Sequence, residues 1–287
     1  KIEPIFTTET RRHGENIAGM TNPDAQLSRP DAFWDEHPLE QGRVRVFAIG
    51  PLELRCKAVG QDFWLAASHG EDQYQMPRPR GAEREPEWMR WALEQPAGVV
   101  RLTPALPDLP VVVKPEAPFR LIPAAEARIY VRVPVWVKVE AIGARERQIM
   151  EVPSSILSKT WWGAFTSGEL GYWISSSARR EPLIEPDRRH LVICPMRIMN
   201  ASGGELNVEK IMLSMAGLTL YADGPQLWSS LSTIRYRGAI QFSQIDVADG
   251  PPRECHGASQ AAPPRQPANR SLMAKTFGGL LEWARWE

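Results

Sequence analysis

One-sided charge is absent from these 287 residues: Lys+Arg and Asp+Glu number 34 each. No net field therefore draws the chain to nucleic acid or to anionic lipid. Cysteine is scarce. Cys56, Cys194 and Cys255 are widely spaced, odd in number and without a CxxC pair. That pattern argues against a disulfide framework or a cysteine zinc site and makes a reducing, cytoplasmic setting the default. A removed N-terminal signal stays compatible with a chain that begins at Lys1. No apolar run reaches transmembrane length, so no membrane span is expected. The phosphate cradles GxGxxG and GxxxxGK[ST] are missing as well, which removes the usual nucleotide chemistry and leaves no cofactor to expect.

Catalytic patterns are equally thin. No GxSxG elbow occurs, and the histidines are His13, His37, His69, His190 and His256. His256 adjoins Cys255 at the start of a low-complexity stretch, where no rigid pocket forms. Asp35-Glu36-His37 and His69-Gly70-Glu71-Asp72 are the nearest approaches to a metal site. Adjacent residues on a strand face opposite ways and chelate poorly, so loop polarity is the plain reading; a long-range pairing of His37 with His69 is the alternative. Arg179-Arg180 and Arg188-Arg189-His190 sit among Glu181, Glu185 and Asp187, which reads as a salt-bridged loop before it reads as an anion site. No catalytic, cofactor or metal residue is assigned.

What the sequence does hold is alternation. In Ala127–Ala141, Ile129, Val131, Val133, Val135, Val137 and Val139 share one face, while Arg128, Tyr130, Arg132, Trp136, Lys138 and Glu140 share the other. Period two is the signature of a strand, and a 3.6-residue period would scatter these residues around a helix. Pro134 in its middle cannot donate to a ladder and predicts a bend, bulge or edge there. Arg43–Ala48 and Leu52–Ala58 read as a hairpin, with Leu52, Leu54, Cys56 and Ala58 inward, and Phe63–Ala67 as a third strand. Val99–Leu102, Val111–Lys114, Phe119–Ile122 and Gln148–Val152 follow. Ser154–Glu169 reads as an irregular excursion, and Leu191–Met199 with Leu206–Met212 as a hairpin over Asn200–Gly204. Ala239–Val247 changes phase near Ser243-Gln244.

Two helices are predicted. Residues 87–94 follow Pro86, a residue suited to a helix start, and stack Trp88, Trp91 and Ala92 before Pro96-Ala97-Gly98 stops them. A capping helix is the plain reading, a ligand-stacking tryptophan pair the alternative. Residues 251–270, rich in Pro, Ala, Gln and Gly, read as a linker. Beyond it, Leu272, Met273, Phe277, Leu280, Leu281 and Ala284 fall on one side of an amphipathic helix over 271–287, weakened by Gly278-Gly279, and Trp283 joins Leu272, Met273, Phe277, Leu280 and Leu281 as candidate partner-binding residues. The length accommodates two medium lobes, and all-β architecture follows: β-sandwich-type lobes at 1–115 and 116–250, mostly antiparallel.

The blocks VVRLTPALPDLPVVVKPEAPFRLIP, IYVRVPVWVKV and SKTWWGAFTSGELGYW, then PMRIMN, ELNVEKIML and LTLYADG, together resemble an archaeal and bacterial family known as domain of unknown function 432. The resemblance spans 99–247 and rests on the order of short blocks. It implies an all-β fold and carries no assigned activity or catalytic residue. It also associates some relatives with small mechanosensitive channels, by neighbourhood rather than by residues.

The expectation is thus a non-enzymatic accessory or regulatory protein. Its C-terminal helix would dock a protein partner, a membrane channel or complex among the candidates, with at most peripheral membrane contact. Eleven tryptophans support one rival, a carbohydrate-binding sandwich that stacks sugars on Trp136, Trp161 and Trp162. The other rival is a hydrolase or metal-dependent enzyme assembled from distant histidines and carboxylates.

Overall fold

The computed structural model describes residues 34–74, 87–238, 243–255, 257–267, 272–274 and 276–278. In chain order the strands are β1 (Glu36–Pro38), β2 (Arg45–Ile49), β3 (Leu52–Val59), β4 (Asp62–His69), β5 (Met89–Ala92), β6 (Val99–Ala105), β7 (Val111–Pro115) and β8 (Phe119–Leu121). Next come β9 (Glu126–Pro134), β10 (Trp136–Ile142), β11 (Glu146–Pro153), β12 (Ser158–Trp162), β13 (Glu169–Ala178) and β14 (Leu191–Asn200). The last are β15 (Leu206–Val208), β16 (Lys210–Leu213), β17 (Leu220–Asp223), β18 (Gln226–Ser229), β19 (Ser232–Tyr236), β20 (Ser243–Val247), β21 (Ser259–Ala262), β22 (Leu272–Ala274) and β23 (Phe277–Gly278). No helix occurs among the described residues.

The valine-rich stretch is divided by its proline. Through β9 it pairs antiparallel with β14, and through β10 with β6 and β11. Val135 at the break uses its backbone elsewhere: its N–H donates to the His190 carbonyl at 2.9 Å, and its carbonyl accepts from Ser154 at 2.8 Å. The apolar face stays in phase across the break and is buried throughout, Ile129 being the most exposed of the six at 2%. It therefore serves two cores. Ile129, Val131, Val133 and Val135 pack with Leu191, Met196 and Ile211, whereas Val137 and Val139 pack with Leu54, Phe63 and Leu102.

Among the described residues, five sheets build these cores. Order β1-β6-β10-β11 lies against the second core together with β2-β3-β4-β5. The first core is covered by β12-β13-β7-β16-β23, by β21-β17-β18-β14-β19-β20-β22 with β9 on β14, and by the small pair β15-β8. Most pairings are antiparallel; β13 with β7, and β14 with β18 and β19, are parallel. The cores do not divide at residue 115, because β10 and β11 return to the N-terminal one.

Tertiary pairing overrides several local readings. Residues 89–92 form strand β5, not a helix: the outer edge of β4 takes them in register, Phe63 opposite Trp91 and Leu65 opposite Met89. So short an apolar stretch fits period two as well as 3.6, and the free edge decides. Ser158–Trp162 is likewise a regular strand, not part of an irregular excursion. The expected hairpin over Asn200–Gly204 does not form. Asn200 donates to the carbonyls of Leu121 and Gly204 at 2.8 and 2.7 Å and turns the chain towards β8, which β15 joins.

The described residues of the expected linker, within 251–267, are tied down. β21 pairs with β17, Gln266 N–H reaches the Ala216 carbonyl, and Arg265 pairs with Glu151 while donating to the Leu106 carbonyl at 2.7 Å. In the tail, β22 extends β20 and β23 extends β16, with Thr276 buried between them, while most of the helix expected over 271–287 lies outside the described residues. Two otherwise unfilled sheet edges favour strands at 272–274 and 277–278. Residues 1–33, His256 and residues 279–287, including Leu280, Leu281 and Trp283, lie outside the described residues, as do 239–242 next to the expected phase change.

Candidate functional site

Three tryptophans were singled out for stacking, and the fold separates them. Trp136 is buried, its ring 5.3 Å from that of Tyr172. Trp162 is also buried, against Val112, Met212 and Trp173. Only Trp161 faces out, 44% exposed. Alternation on β12 explains the split, since neighbouring residues of a strand point to opposite faces.

Trp161 stands at the tip of the β12–β13 hairpin, opposite Leu170 in the pairing. Leu170 is 39% exposed, and Phe165, in the connecting turn, is 94% exposed. The turn itself is well tied. Trp161 Nε1 donates to the Ala164 carbonyl at 3.1 Å, and Ser167 N–H reaches the same carbonyl. Gly163 takes a left-handed φ of 98°, and Gly168 lies so close to the indole that a Cβ there would sit 2.4 Å from Nε1. The strand β12 is the outer edge of its five-stranded sheet. An exposed apolar group of this kind on a rigid support is the usual mark of an interaction site.

A second locus lies at the seam between the cores, around Asp72. Its Oδ1 accepts from Gln73 N–H at 2.8 Å, and its Oδ2 from the Ser155 hydroxyl at 3.4 Å. His190 Nε2 stands 3.8 Å from Oδ2 and Arg188 Nη1 3.9 Å from Oδ1, both beyond hydrogen-bond reach. Among the described residues, seven buried side-chain polar atoms lack a hydrogen-bond partner, and five of them belong to Tyr74, Ser154, Arg188 and His190. Buried polar groups are normally satisfied, so such a concentration marks this seam as unlike the rest of the interior. Burial holds the His190 imidazole below its ordinary value of 6.5; Asp72 opposes that shift and Arg188 adds to it.

Other candidates resolve into structure. His37 stacks on Phe47 at 4.8 Å, and His69 Nε2 contacts the Pro153 carbonyl at 2.8 Å, so the two serve separate contacts. No group of three His, Cys, Asp or Glu is placed to hold a metal among the described residues. Trp88 and Trp91 part company: Trp91 packs on the second core, and Trp88 lies under Lys57 Nζ at 4.6 Å. On β9, Tyr130 OH donates to Glu254 Oε1 at 2.7 Å and Arg128 Nη2 to Oε2 at 2.8 Å, which clamps the C-terminal stretch to the sheet. Burial pushes the Glu254 carboxyl up, but the hydrogen bonds from Tyr130 and the backbone and the Arg128 charge more than offset it and hold the group below the usual range.

Sequence reasoning found Trp161 but missed Phe165 and Leu170, although the turn GAFTSG between two strand-like runs was the available signal. It noted His69-Gly70-Glu71-Asp72 and Arg188-Arg189-His190 separately, but had no signal that the fold joins them.

This architecture defines an all-β protein whose surface carries a rigid aromatic tip. The chain belongs to the family described as "Protein of unknown function (DUF432)", whose model matches residues 33–282. No curated protein and no solved structure shows significant similarity to it. Among the described residues no helix is long and apolar enough to cross a membrane.

Proposed function

We propose that this chain is an accessory binding protein that docks a protein partner through the β12–β13 tip. The observation that carries the reading is the exposed set Trp161, Phe165 and Leu170, held on a turn closed by two hydrogen bonds to the Ala164 carbonyl. Tryptophan and phenylalanine are the residues that anchor protein interfaces, where a rigid aromatic loses little entropy on burial. Lys159 and Glu169 flank the tip with opposite charges and both are exposed, which favours a protein over anionic lipid or nucleic acid. With Trp136 and Trp162 buried, a sugar-stacking platform is reduced to one indole face.

The C-terminus supplies a second docking element in this reading, shortened to residues 279–287, because β22 and β23 are used by the sheets. The compartment we infer is the cytoplasm; all three cysteines are free thiols, and burial pushes Cys56 and Cys194 up to about 12.

The test is site-specific photo-crosslinking from position 165 of the full chain in the cells that make it. A discrete protein adduct is expected, lost when Trp161→Ala is added while the melting temperature holds. Absence of an adduct, or one indifferent to Trp161→Ala, refutes the proposal. Binding to phosphatidylcholine vesicles that Phe165→Ser abolishes would replace the protein partner by a lipid surface. Truncation after 278 should leave the fold intact, whereas truncation after 270 removes two paired strands and should destabilise it.

A further inference from the structure

Independently of the docking tip, one sheet edge stands open. Among the described residues no strand lies beyond β2 in the order β2-β3-β4-β5. Neighbouring hydrogen bonds fix which of its backbone groups face outward. Gly42 N–H donates to the Ala58 carbonyl and Gly70 N–H to the Pro51 carbonyl, both at 2.7 Å. Even-numbered residues of β3 therefore aim their N–H and C=O at β2, and odd-numbered ones at β4. Cys56, Leu54 and Leu52 lie opposite Arg45, Phe47 and Ile49, which take those bonds. Val46 and Ala48 point their N–H and C=O away from β3, to the open side.

The side chains along this edge are apolar and exposed. Val44 is 47% and Val46 54% exposed, and Ala48 is exposed as well. Other outer strands carry guards against further pairing: Pro38 on β1, the register shift of β11 on β10, and Lys159 on β12. β2 has no proline and pairs with β3 without a bulge, and its one cation, Arg45, turns to the inner face, 5.6 Å over the Phe47 ring. At the far edge of the same sheet Arg147 donates to the Ala92 carbonyl of β5 at 3.1 Å. Addition of a strand to this sheet is thereby directed to β2.

We propose that two copies of this chain join through β2, antiparallel about a two-fold axis at Val46, so that their four-stranded sheets become one. The edge is complementary to itself in that register. Val46 meets Val46 of the second copy and Val44 meets its Ala48, apolar on apolar. On the inner face Arg45 lies opposite Phe47 of the second copy, which repeats across the junction the cation–aromatic contact made within the chain. No like charges are set opposite one another. Arg43 of the second copy comes opposite Ile49, where a cavity of about 310 Å³ between Ala48, Ile49, Gly50 and the loop carrying Asp187 leaves room for it. The Asp187 side chain is exposed there and complements the incoming guanidinium. Such a contact uses up both open edges and closes on itself, so it ends at a dimer, and the dimer carries two β12–β13 tips.

An interface built on one short strand is small and weak, so sedimentation of the full chain is followed up to about 1 mM, where a dimer is expected. Amide exchange at Val46 and Ala48 should slow about threefold or more from dilute to concentrated chain, because their N–H groups then enter a ladder. Val46→Lys, at an exposed position, should abolish the dimer and leave the dilute chain's melting temperature in place. Ala48→Pro, which removes an outward-facing N–H, should do the same. Trp161→Ala should leave the dimer intact. A chain that stays monomeric, or a dimer that survives Val46→Lys or is lost in Trp161→Ala, would overturn the proposal. So would protection of Val46 and Ala48 that is independent of concentration, which would mean that another segment of the chain covers the edge. Open-ended association abolished by Val46→Lys would show an edge that no two-fold closes. A photo-crosslink from position 46, in the cells that make the chain, to a different protein and not to a second copy would hand the edge to that protein instead.

Discussion

The tip of the β12–β13 hairpin and the seam around His190 depart from an ordinary soluble fold in opposite senses. At the tip the Ala164 carbonyl accepts from Trp161 Nε1 and Ser167 N–H, and the apolar side chains of Trp161, Phe165 and Leu170 stand in water. At the seam the apolar neighbours are packed away, and the polar atoms of Tyr74, Ser154, Arg188 and His190 go without partners. An exposed aromatic costs the folded state little, since the unfolded chain exposes it too. A buried unsatisfied donor costs about 1–3 kcal/mol each. The seam is therefore where stability has been given up, and the tip is where it was never at stake.

Filling the seam should produce the largest effect. Gly50→Ala forces a methyl group against the His190 ring and an L-residue into φ +60°, and should cost about 2–4 kcal/mol in denaturant unfolding. Gly42→Ala, also left-handed at φ +77° but with nothing within 4 Å, should cost only about 1 kcal/mol of strain. Equal costs would show that the seam has slack, and the contrast with the tip would fade.

Acid should act on the seam next. With the folded imidazole below 6.5, the unfolded chain takes up a proton that the folded chain refuses. Stability conferred by the neutral ring is thus present above pH 6.5 and lost as pH falls below it. His190→Gln should flatten the rise of unfolding free energy with pH between 5 and 7. Trp161→Phe should leave that slope alone. An unchanged slope in His190→Gln would mean that the ring titrates as it does in water.

The smallest effect belongs to the tip. Phe165→Ser should shift stability by less than about 0.5 kcal/mol, as for other surface positions, and be visible only in the crosslinking assay. A melting temperature that drops by several degrees would show that Phe165 supports the turn, and the tip would then resemble the seam in being structural.

How much of this was legible follows from how local each feature is. The burial of Ile129 through Val139 could be read because period two needs no partner to reveal it, and Pro134 announced the break. The strands at 89–92, 272–274 and 277–278 could not be read, because what makes them strands is an edge contributed by β4, β20 or β16. Trp161 was legible as a tryptophan pair in a turn, yet which indole faced outward depended on the register with Leu170 and Glu169. The seam was visible only as separate polar clusters, with nothing to show that they meet. Asp72, Ser155, Arg188 and His190 come from three separate stretches, and each alone reads as loop polarity.

The break at Val135 also sets an order of events during synthesis. β10 pairs with β6, already made, and with β11, made next, so the N-terminal core can close early. β9 lies just upstream of β10 in the same ribbon but must wait for β14, and β14 must wait again for β18 and β19. One end of a single run of valines is thus housed while its other end is still exposed to the cell, which makes Ile129, Val131 and Val133 the residues a chaperone would meet on the ribosome.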